Sequence, residues 1–408
     1  MNILQVCKFY QPVMGGIETV AWELSEGFVR AGLHTEVLCS NQQRGTERHL
    51  FPSGYHVVRA SSMGMLLSTS MAPAMVHELR RMSHRRDIVH VHMPDPMAAL
   101  AIWTVRPKAR VVVHWHSDVV RQRRAMKFYE PLQNWLLARA DAIISTSTAY
   151  AESSVALKPW LRKVTVIPIG ISDNRGQDFA PRTAALREQF QGRKIIFALG
   201  RMTYYKGFEV LIEAARSLPD ETVVIIGGDG PEMTRHREAV ERLGLQHKVL
   251  LPGHINDGDL PSYYEACDIF CMSSTVRSEA YGVTMVEAMV MGKPVVATDI
   301  AGSGVPWVNV HGVTGFNTIV SDPTSLASAL NTLLADGDLR RRMGMAARAR
   351  YLREFNADWM TQKTIALYDT LLRAPRSLHH DQSMSDAEAR KVLVASHNQV
   401  SDHPPPQR

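Results

Sequence analysis

Two glutamates, Glu279 and Glu287, stand eight positions apart in the segment SEAYGVTMVEAM, on either side of a glycine. A carboxylate can accept hydrogen bonds from two neighbouring hydroxyls at once, so it suits the diols of sugars and of ribose. The backbone amides of the intervening loop could cradle a phosphate. Those amides belong to Ala280, Tyr281 and Gly282. The structural alternative is a capping box formed by Thr284 and Glu287, with Glu279 an exposed loop acid.

Two cations, Arg201 and Lys206, follow the strand-like run KIIFAL in the segment GRMTYYKG. A predicted helix begins directly after them, and its positive N-terminal end would add to an anion site. Arginine offers a planar fork for phosphate oxygens, and lysine adds a movable point charge. The alternative is a pair of solvated surface cations.

A glycine pair, Gly15-Gly16, separates the first predicted strand from the first predicted helix. Glycine there lets backbone amides approach a ligand closely. The spacing is not G-x-G-x-x-G, so a dinucleotide cofactor is not indicated. A plain tight turn is the alternative.

Histidine pairs end two strand-like runs, His90 with His92 and His114 with His116. A period of two puts each pair on one sheet face, so a metal cluster is conceivable, but no acid stands at an obvious ligand spacing. We favour a single histidine of HWHSD reaching the ligand. The D-x-D pattern ending at Asp259 is better explained as the N-cap of the helix LPSYYEA, so we expect no metal.

These residues must be positioned by alternating strands and helices, which run through most of the chain. The alternation predicts an α/β protein with two doubly wound parallel sheets. Ligands of such sheets bind at the carboxyl ends of the strands, so we expect the site in a cleft between two facing domains. We predict a first domain over 1–170, a linker over 171–192, a second domain over 193–355, a last amphipathic helix over 356–373, and a disordered tail over 374–408.

Composition restricts the partners and the compartment. The 408 residues carry a formal net charge of +6, which favours anionic partners: phosphates, nucleic acid or an acidic lipid surface. The charge is not gathered into a recognised nucleic-acid module, so a nucleic-acid-binding protein is the weaker hypothesis. No apolar run approaches the ~18–20 residues that cross a bilayer, and the start lacks a leader pattern. We therefore expect a cytoplasmic protein, with the inner face of the plasma membrane as a possible location.

Taken together, these motifs resemble glycosyltransferase family 4, whose members have the GT-B fold of two facing Rossmann-like domains. The resemblance covers roughly residues 1–373. The matching features are the Gly15-Gly16 loop, Arg201 with Lys206, the turn Gly228-Asp229-Gly230-Pro231, and Glu279 with Glu287.

The resemblance implies a nucleotide-sugar donor bound mainly by the second domain, an acceptor bound mainly by the first, and transfer with retention. Arg201 and Lys206 would hold the diphosphate, Glu287 the ribose and Glu279 the donor sugar. His116 would line the sugar site, and the final helix, 356–373, would return to the first domain. The remaining expected donor contacts are Gly15, Gly16, Gly228, Gly230, Ala280, Tyr281 and Gly282. Fixed cations and a helix N-terminus complement the leaving phosphate, so no divalent metal and no other cofactor is expected, and Lys206→Ala is expected to lower the rate far more than the stability.

The run HSDVVRQRRAMKFYEPLQ looks like bacterial mannosyltransferases that build O-antigen or exopolysaccharide on lipid carriers. That favours a hexose, mannose, from GDP-mannose; UDP-, dTDP- and ADP-sugars stay open because Arg277 and Tyr281 depart from the family pattern. An inactive donor-binding partner subunit is a further alternative. The run's cations suit a lipid-linked acceptor or an anionic membrane surface, and a solvated helix face is the alternative. These cations are Arg121, Arg123, Arg124 and Lys127.

Overall fold

The computed structural model describes residues 1–13, 15–67, 69–119, 123–175 and 179–375, and for 123–125 it describes the backbone alone. The chain divides into two compact units, which are described separately. The first unit is Met1–Ser172 together with the chain from Ala357 onward, and the second is Asp173–Asn356.

The first unit is built on a sheet that has eight strands within the described residues. Its strands and those of a separate short hairpin are β1 Asn2–Cys7, β2 His34–Ser40, β3 Glu47–Leu50, β4 His56–Ala60, β5 Met65–Leu66, β6 Thr69–Ser70, β7 Ile88–Met93, β8 Arg110–Trp115, β9 Ala142–Ser145 and β10 Val164–Val166. The order is β10-β9-β8-β7-β1-β2-β4-β3; β3 is antiparallel to β4, the other pairs are parallel, and β5 pairs with β6. The chain runs outward in both directions from the β1–β7 boundary, which makes that boundary the switch point where ligands bind.

Helices cover this sheet between its strands. They are α1 Gly16–Arg30, α2 Ala74–Met82, α3 Pro96–Val105, α4 Arg123–Arg139 and α5 Thr148–Ser153. The start of α3 shows the local logic: Asp95 Oδ1 accepts from the Met97 amide at 3.1 Å, and Pro96 occupies the first position. Proline fits there because the first amide of a helix has no partner inside it.

The second unit is a six-stranded parallel sheet with helices between the strands. The strands are β11 Lys194–Leu199, β12 Thr222–Gly227, β13 Val249–Gly253, β14 Ile269–Met272, β15 Val295–Thr298 and β16 Gly315–Thr318, in the order β13-β12-β11-β14-β15-β16. The helices are α6 Ala180–Gln189, α7 Phe208–Ala214, α8 Met233–Arg242, α9 Leu260–Ala266, α10 Val283–Val290, α11 Val305–Val308, α12 Pro323–Ala335 and α13 Gly337–Arg350. Continuous apolar strands such as β12, buried throughout, are typical of a sheet covered on both faces.

The segment 171–192, predicted as a linker, contains the helix α6. Its N-terminal turn contains Pro181, and Arg187 pairs with Asp268 at 3.0 Å. The Gly, Pro and Asp residues around this segment are typical of a loop, so the sequence pattern does not predict this short helix, which tertiary contacts stabilise. The boundary between the units falls after Ser172. Most of the expected tail, residues 376–408, lies outside the described residues.

The last helix, α14 Ala357–Arg373, belongs to the first unit and packs on α1. Gly27 permits this approach, since a Cβ there would lie 2.1 Å from Thr361 Oγ1. The rings of Phe28 and Tyr368 meet with centroids 5.6 Å apart, and both side chains are fully buried. Within the described residues, no helix combines the length and apolar character that crossing a membrane requires.

Candidate functional site

The switch point of the second sheet lies between β11 and β14, and the loops after these strands meet there. Gly207 has φ of +61°, and a Cβ on it would lie 2.2 Å from the Ser273 carbonyl oxygen. Only glycine fits this crossing. The Ser273 hydroxyl donates to the Lys206 carbonyl at 3.0 Å, which fastens the two loops together. Residues separated by some seventy positions in sequence therefore share one site.

The centre of this site is an ion pair between Lys206 and Glu279. Lys206 Nζ donates to Glu279 Oε2 at 2.6 Å, and the Ser274 hydroxyl donates to the same oxygen at 3.0 Å. Each charged side chain is 11% exposed. Burial lowers the pKa of Lys206, but Glu279, Tyr205 and Glu287 together outweigh burial, so the pKa is raised and the ammonium stays charged. Removing either partner would leave a buried charge alone.

Glu287 lies on α10 and turns towards the same charges. The Tyr264 hydroxyl donates to Glu287 Oε2. Burial raises the pKa of Glu287, while the Tyr264 hydroxyl and the Lys206 ammonium oppose that rise. The capping-box alternative is wrong, because Gly282 is the N-cap residue and the Thr284 hydroxyl is buried without a hydrogen-bond partner.

The loop 280–282 leads into the N-terminus of α10. Ala280 and Tyr281 are buried, and Gly282 has φ of +84°. The Tyr281 ring packs against Trp307 at 6.3 Å and Phe355 at 6.2 Å between centroids, so the ring belongs to the core. No side chain caps α10, which leaves the positive end of the helix open for an anion.

The loop after β11 also carries Arg201, which is exposed and makes no ion pair with any residue that the structure describes. Behind it, the Gly228 amide donates to Gly253 O at 2.8 Å, and the Gly230 amide donates to Asp229 Oδ1 at 2.7 Å. A Cβ on Gly228 would lie 2.0 Å from Gly200 O. These glycines therefore support the Arg201 loop by close packing, and their amides are already used within the protein.

Three predicted residues, Gly15, Gly16 and His116, belong to the first unit. Gly15 is the N-cap residue of α1 and Gly16 its first residue; both are exposed, and no side chain caps the helix. His116 follows β8, is 5% exposed, and donates its backbone amide to Met93 O at 3.0 Å. Burial lowers the pKa of its imidazole to about 3.

A cavity of about 420 Å³ opens in the first unit at the β1–β7 switch point. Its wall is mostly apolar and includes Leu66, Met71 and Met126. Its polar members are Lys8, Glu18, Thr69, His92 and Tyr129. The Tyr129 hydroxyl is buried and has no hydrogen-bond partner among the residues that the structure describes. Burial raises the pKa of Glu18, with Lys8 opposing the rise. Our sequence analysis missed Glu18, although it lies in the first turn of α1, two residues after the glycine pair.

His90 and His92 of β7, His114 of β8 and His116 directly after β8 are buried side by side. Ring nitrogens of His90, His92 and His114 come within 4.8 Å of one another. These nitrogens are already hydrogen-bonded within the protein: His90 Nε2 lies 3.2 Å from His114 Nδ1, and His92 Nε2 lies 2.7 Å from Gln5 Oε1. Asp259 stands at the N-cap position of α9, but its carboxylate pairs with Arg182 at 3.2 Å instead of capping the helix.

The predicted acceptor and membrane cations fall on or just before α4. Arg121 lies outside the described residues, and of Arg123 and Arg124 only the helical backbone is described. Lys127 is exposed beside Phe128, whose side chain is 89% exposed.

Comparison with known proteins gives one consistent result. Residues 185–350 match the family of glycosyl transferases group 1, and residues 15–170 match the glycosyl transferase 4-like domain. The chain is 34% identical over 380 residues to the O-antigen chain mannosyltransferase C of Escherichia coli, covering 92% of this chain and 100% of that one. It is 31% identical over 360 residues to the D-rhamnosyltransferase WbpZ of Pseudomonas aeruginosa, covering 88% and 93%.

Two solved structures share the fold. The first, Alr3699/HepE of Anabaena in complex with UDP and glucose, has a TM-score of 0.74 at 22% identity, covering 91% of this chain and 100% of that one. The second is the sucrose-phosphate synthase of Thermosynechococcus elongatus, which has a TM-score of 0.76 at 20% identity, covering 91% and 99%.

Proposed function

We propose, because this chain belongs to the group 1 glycosyl transferases, that it moves mannose from GDP-mannose to a lipid-linked or polysaccharide acceptor in surface-glycan synthesis, with retention. The observation that carries the proposal is the buried Lys206–Glu279 pair, with Glu287 beside it, at the switch point of the second sheet. This is where doubly wound sheets bind their ligands.

The diphosphate of the donor would bind Lys206, Arg201 and the open N-terminus of α10. When the bond between sugar and phosphate breaks, negative charge grows on the leaving oxygen. An ammonium that is already held in place and charged stabilises that growth without rearrangement, and one such donor is often worth ~3–4 kcal/mol. The Lys206 ammonium would then lie between the Glu279 carboxylate and the phosphate.

The two glutamates would bind hydroxyls. The Tyr264 hydroxyl occupies Glu287 Oε2 and leaves Oε1 for the ribose diol. Glu279 uses Oε2 for Lys206 and Ser274, and its second oxygen would accept from a hydroxyl of the transferred sugar. His116 of the first unit would bind the same sugar. The exposed amides at the start of α1 would bind phosphate.

The acceptor would enter the cavity of the first unit. Glu18 and the unpartnered Tyr129 hydroxyl can hold a sugar hydroxyl there, while the wall of Leu66 and Met71 contacts an apolar face of the acceptor. Lys127 and Phe128, exposed on the neighbouring helix α4, would contact the lipid surface that carries the acceptor. The enzyme would thus work in the cytoplasm at the inner face of the membrane.

The sugar assignment is supported by the names of two relatives. One is a mannosyltransferase and the other a D-rhamnosyltransferase, and rhamnose is 6-deoxymannose. Both sugars share one ring configuration, so a manno-configured donor is the simplest common substrate. A donor based on UDP, dTDP or ADP is the alternative, since one structure of the same fold holds UDP and glucose.

A thermal-shift panel of GDP-mannose, UDP-glucose, dTDP-glucose and ADP-glucose tests the donor. A ligand at 100 times its dissociation constant adds ~2.7 kcal/mol of stability, and we expect that gain from GDP-mannose alone. Glu287→Gln should abolish the shift, because an amide binds a diol less well than a carboxylate. The control is Glu265→Gln, an exposed glutamate on α9. A shift with UDP-glucose alone contradicts the GDP assignment, and no shift with any sugar nucleotide contradicts the function.

Vesicle co-sedimentation tests the membrane contact. Full-length protein should pellet with anionic vesicles, and charge reversal of Arg121, Arg123, Arg124 and Lys127 together should release it. Equal binding of both proteins would contradict the contact.

A further inference from the structure

A polar stripe crosses the core of the first unit, on the face of its sheet that α14 covers. Parallel registers place Gln5 opposite His90 and His92 opposite His114, so all four side chains share that face. Each of the four is buried. Core strands of a parallel sheet are normally apolar here, and buried polar groups are costly unless they are hydrogen-bonded. The stripe therefore calls for a reason beyond packing.

The outer arm of the stripe is a chain of two hydrogen bonds. Gln5 Oε1 lies 2.7 Å from His92 Nε2, and His92 Nδ1 lies 2.9 Å from His116 Nε2. An amide oxygen can only accept, so His92 must carry its proton on Nε2. A neutral imidazole has one N–H and one lone pair, so His92 Nδ1 accepts a hydrogen bond from the N–H at His116 Nε2. The lone pair of His116 is then on Nδ1.

The inner arm is separate. The Tyr368 hydroxyl is hydrogen-bonded to His90 Nδ1, and His90 Nε2 lies 3.2 Å from His114 Nδ1. The ring of His114 stacks on that of His116 with centroids 4.2 Å apart and planes inclined by 13°. The inner arm thus packs against one face of the His116 ring through His114. The outer arm, through His92, determines which nitrogen of His116 carries the proton.

We infer that Gln5 is a positioning residue: through His92 it holds His116 in the Nε2–H tautomer and presents Nδ1 as a hydrogen-bond acceptor. Nδ1 has no partner among the described residues, and His116 follows the carboxyl end of β8, the edge of the sheet where ligands bind. An acceptor nitrogen there accepts a hydrogen bond from a hydroxyl of the donor sugar, which keeps its proton, and cannot donate to the sugar's oxygens. This inference rests on the proposed role of His116 in donor binding.

The burial of the ring supports the neutral state that the argument requires. Burial holds the pKa of His116 at about 3, so its ring is neutral at physiological pH. Burial likewise holds the pKa of His92 well below its usual value, and His90 and His116 lower it further.

Nitrogen-15 NMR of histidine-labelled protein tests the tautomer directly. The protein has 17 histidines, and the His116 signals are those missing from the His116→Ala spectrum. We expect the wild type to show a protonated Nε2 and a bare Nδ1, and Gln5→Met to give a mixture of both tautomers. Gln133→Met, the same change at a buried glutamine of α4, is the matched control and should keep the wild-type pattern. A His116 ring with the wild-type tautomer in Gln5→Met would overturn the inference.

Transfer kinetics separate positioning from a structural role. Gln5→Met should lower kcat/KM about ten-fold, the effect of one hydrogen bond, and should have less than a two-fold effect in the His116→Ala background. Equal losses in both backgrounds would show that Gln5 does not act through His116. If Gln5→Met does not fold, Gln5→Asn, which withdraws the oxygen by one methylene, replaces it. If the wild type transfers no sugar, the proposed function fails while the NMR result still decides the tautomer.

Discussion

At the scale of single residues, the contact between Lys206 and Glu279 changes what each is expected to do. An exposed lysine on a loop could be removed with little effect on the fold. Here the ammonium and the carboxylate are 2.6 Å apart and nearly buried, so each charge neutralises the other. The two charges are thus held in place by the protein itself, and each needs the other in order to stay charged while buried.

We therefore predict that Lys206→Ala lowers the free energy of unfolding by about 3 kcal/mol, because it leaves the Glu279 carboxylate buried without its partner. This replaces the expectation that the substitution would affect the rate far more than the stability. Urea denaturation measures the loss. The double variant Lys206→Met/Glu279→Leu should recover most of the stability and remain inactive. A stable single variant would show that the pair is solvated in solution.

The sequence singled out the residues of this candidate site, but it could not predict their contacts. Glu279 and Glu287 stand out by their types and spacing, and Lys206 by its place after a strand. The ion pair depends on the switch in strand order between β11 and β14, and on Gly207, which lets two distant loops touch. Neither feature has a local signal. Gln5, a buried polar residue in a largely apolar strand, was a signal that periodicity alone does not interpret.

At the scale of elements, β7 and β8 bring four histidines together on one buried face. Burial, followed by the neighbouring imidazoles, lowers the pKa of His90 and His114 well below their usual value. The same sequence pattern suggested metal ligands. In the structure the rings make hydrogen bonds to one another, to Gln5 and to Tyr368.

This face should make the fold sensitive to acid. A histidine whose pKa is lowered by folding takes up its proton only in the unfolded chain, so stability falls as the pH drops below about 6.5. Each such histidine should cost about 1 kcal/mol between pH 6.5 and 5.5. Urea denaturation at the two pH values measures the loss, and His114→Leu should reduce it by about one histidine's share. Identical losses in the variant and the wild type would contradict the prediction.

At the scale of the whole molecule, the first unit is made from two distant parts of the chain. The strands and first helices come from Met1–Ser172, and α14 comes from beyond the second unit. Alternation of strands and helices was enough to predict two parallel sheets, whereas the return of the last helix to the first unit was expected from the family resemblance alone. The helix α6 was missed, since a short helix flanked by turn residues is stabilised mainly by its contacts with α9.

Removing α14 should therefore unfold the first unit and spare the second. A chain ending at residue 356 loses the partners of Phe28 and His90, so its first unit should bind a hydrophobic dye and be cleaved by protease. A chain ending at residue 375, which keeps α14, is the control and should behave like the full chain. Resistance of the shorter chain to protease would show that α14 is dispensable.

The hydrogen bond between His90 and Tyr368 joins residues 278 positions apart, and this separation has a consequence for biosynthesis. A ribosome adds roughly 5–20 residues per second, so the nascent chain waits on the order of 10–40 s between completing β10 and releasing α14. Throughout that interval α14 does not yet cover the sheet face that carries His90, so this face is exposed to water. If translation stalls before codon 357, the first unit lacks α14 and should need chaperones, whereas the second unit has nearly all of its own chain.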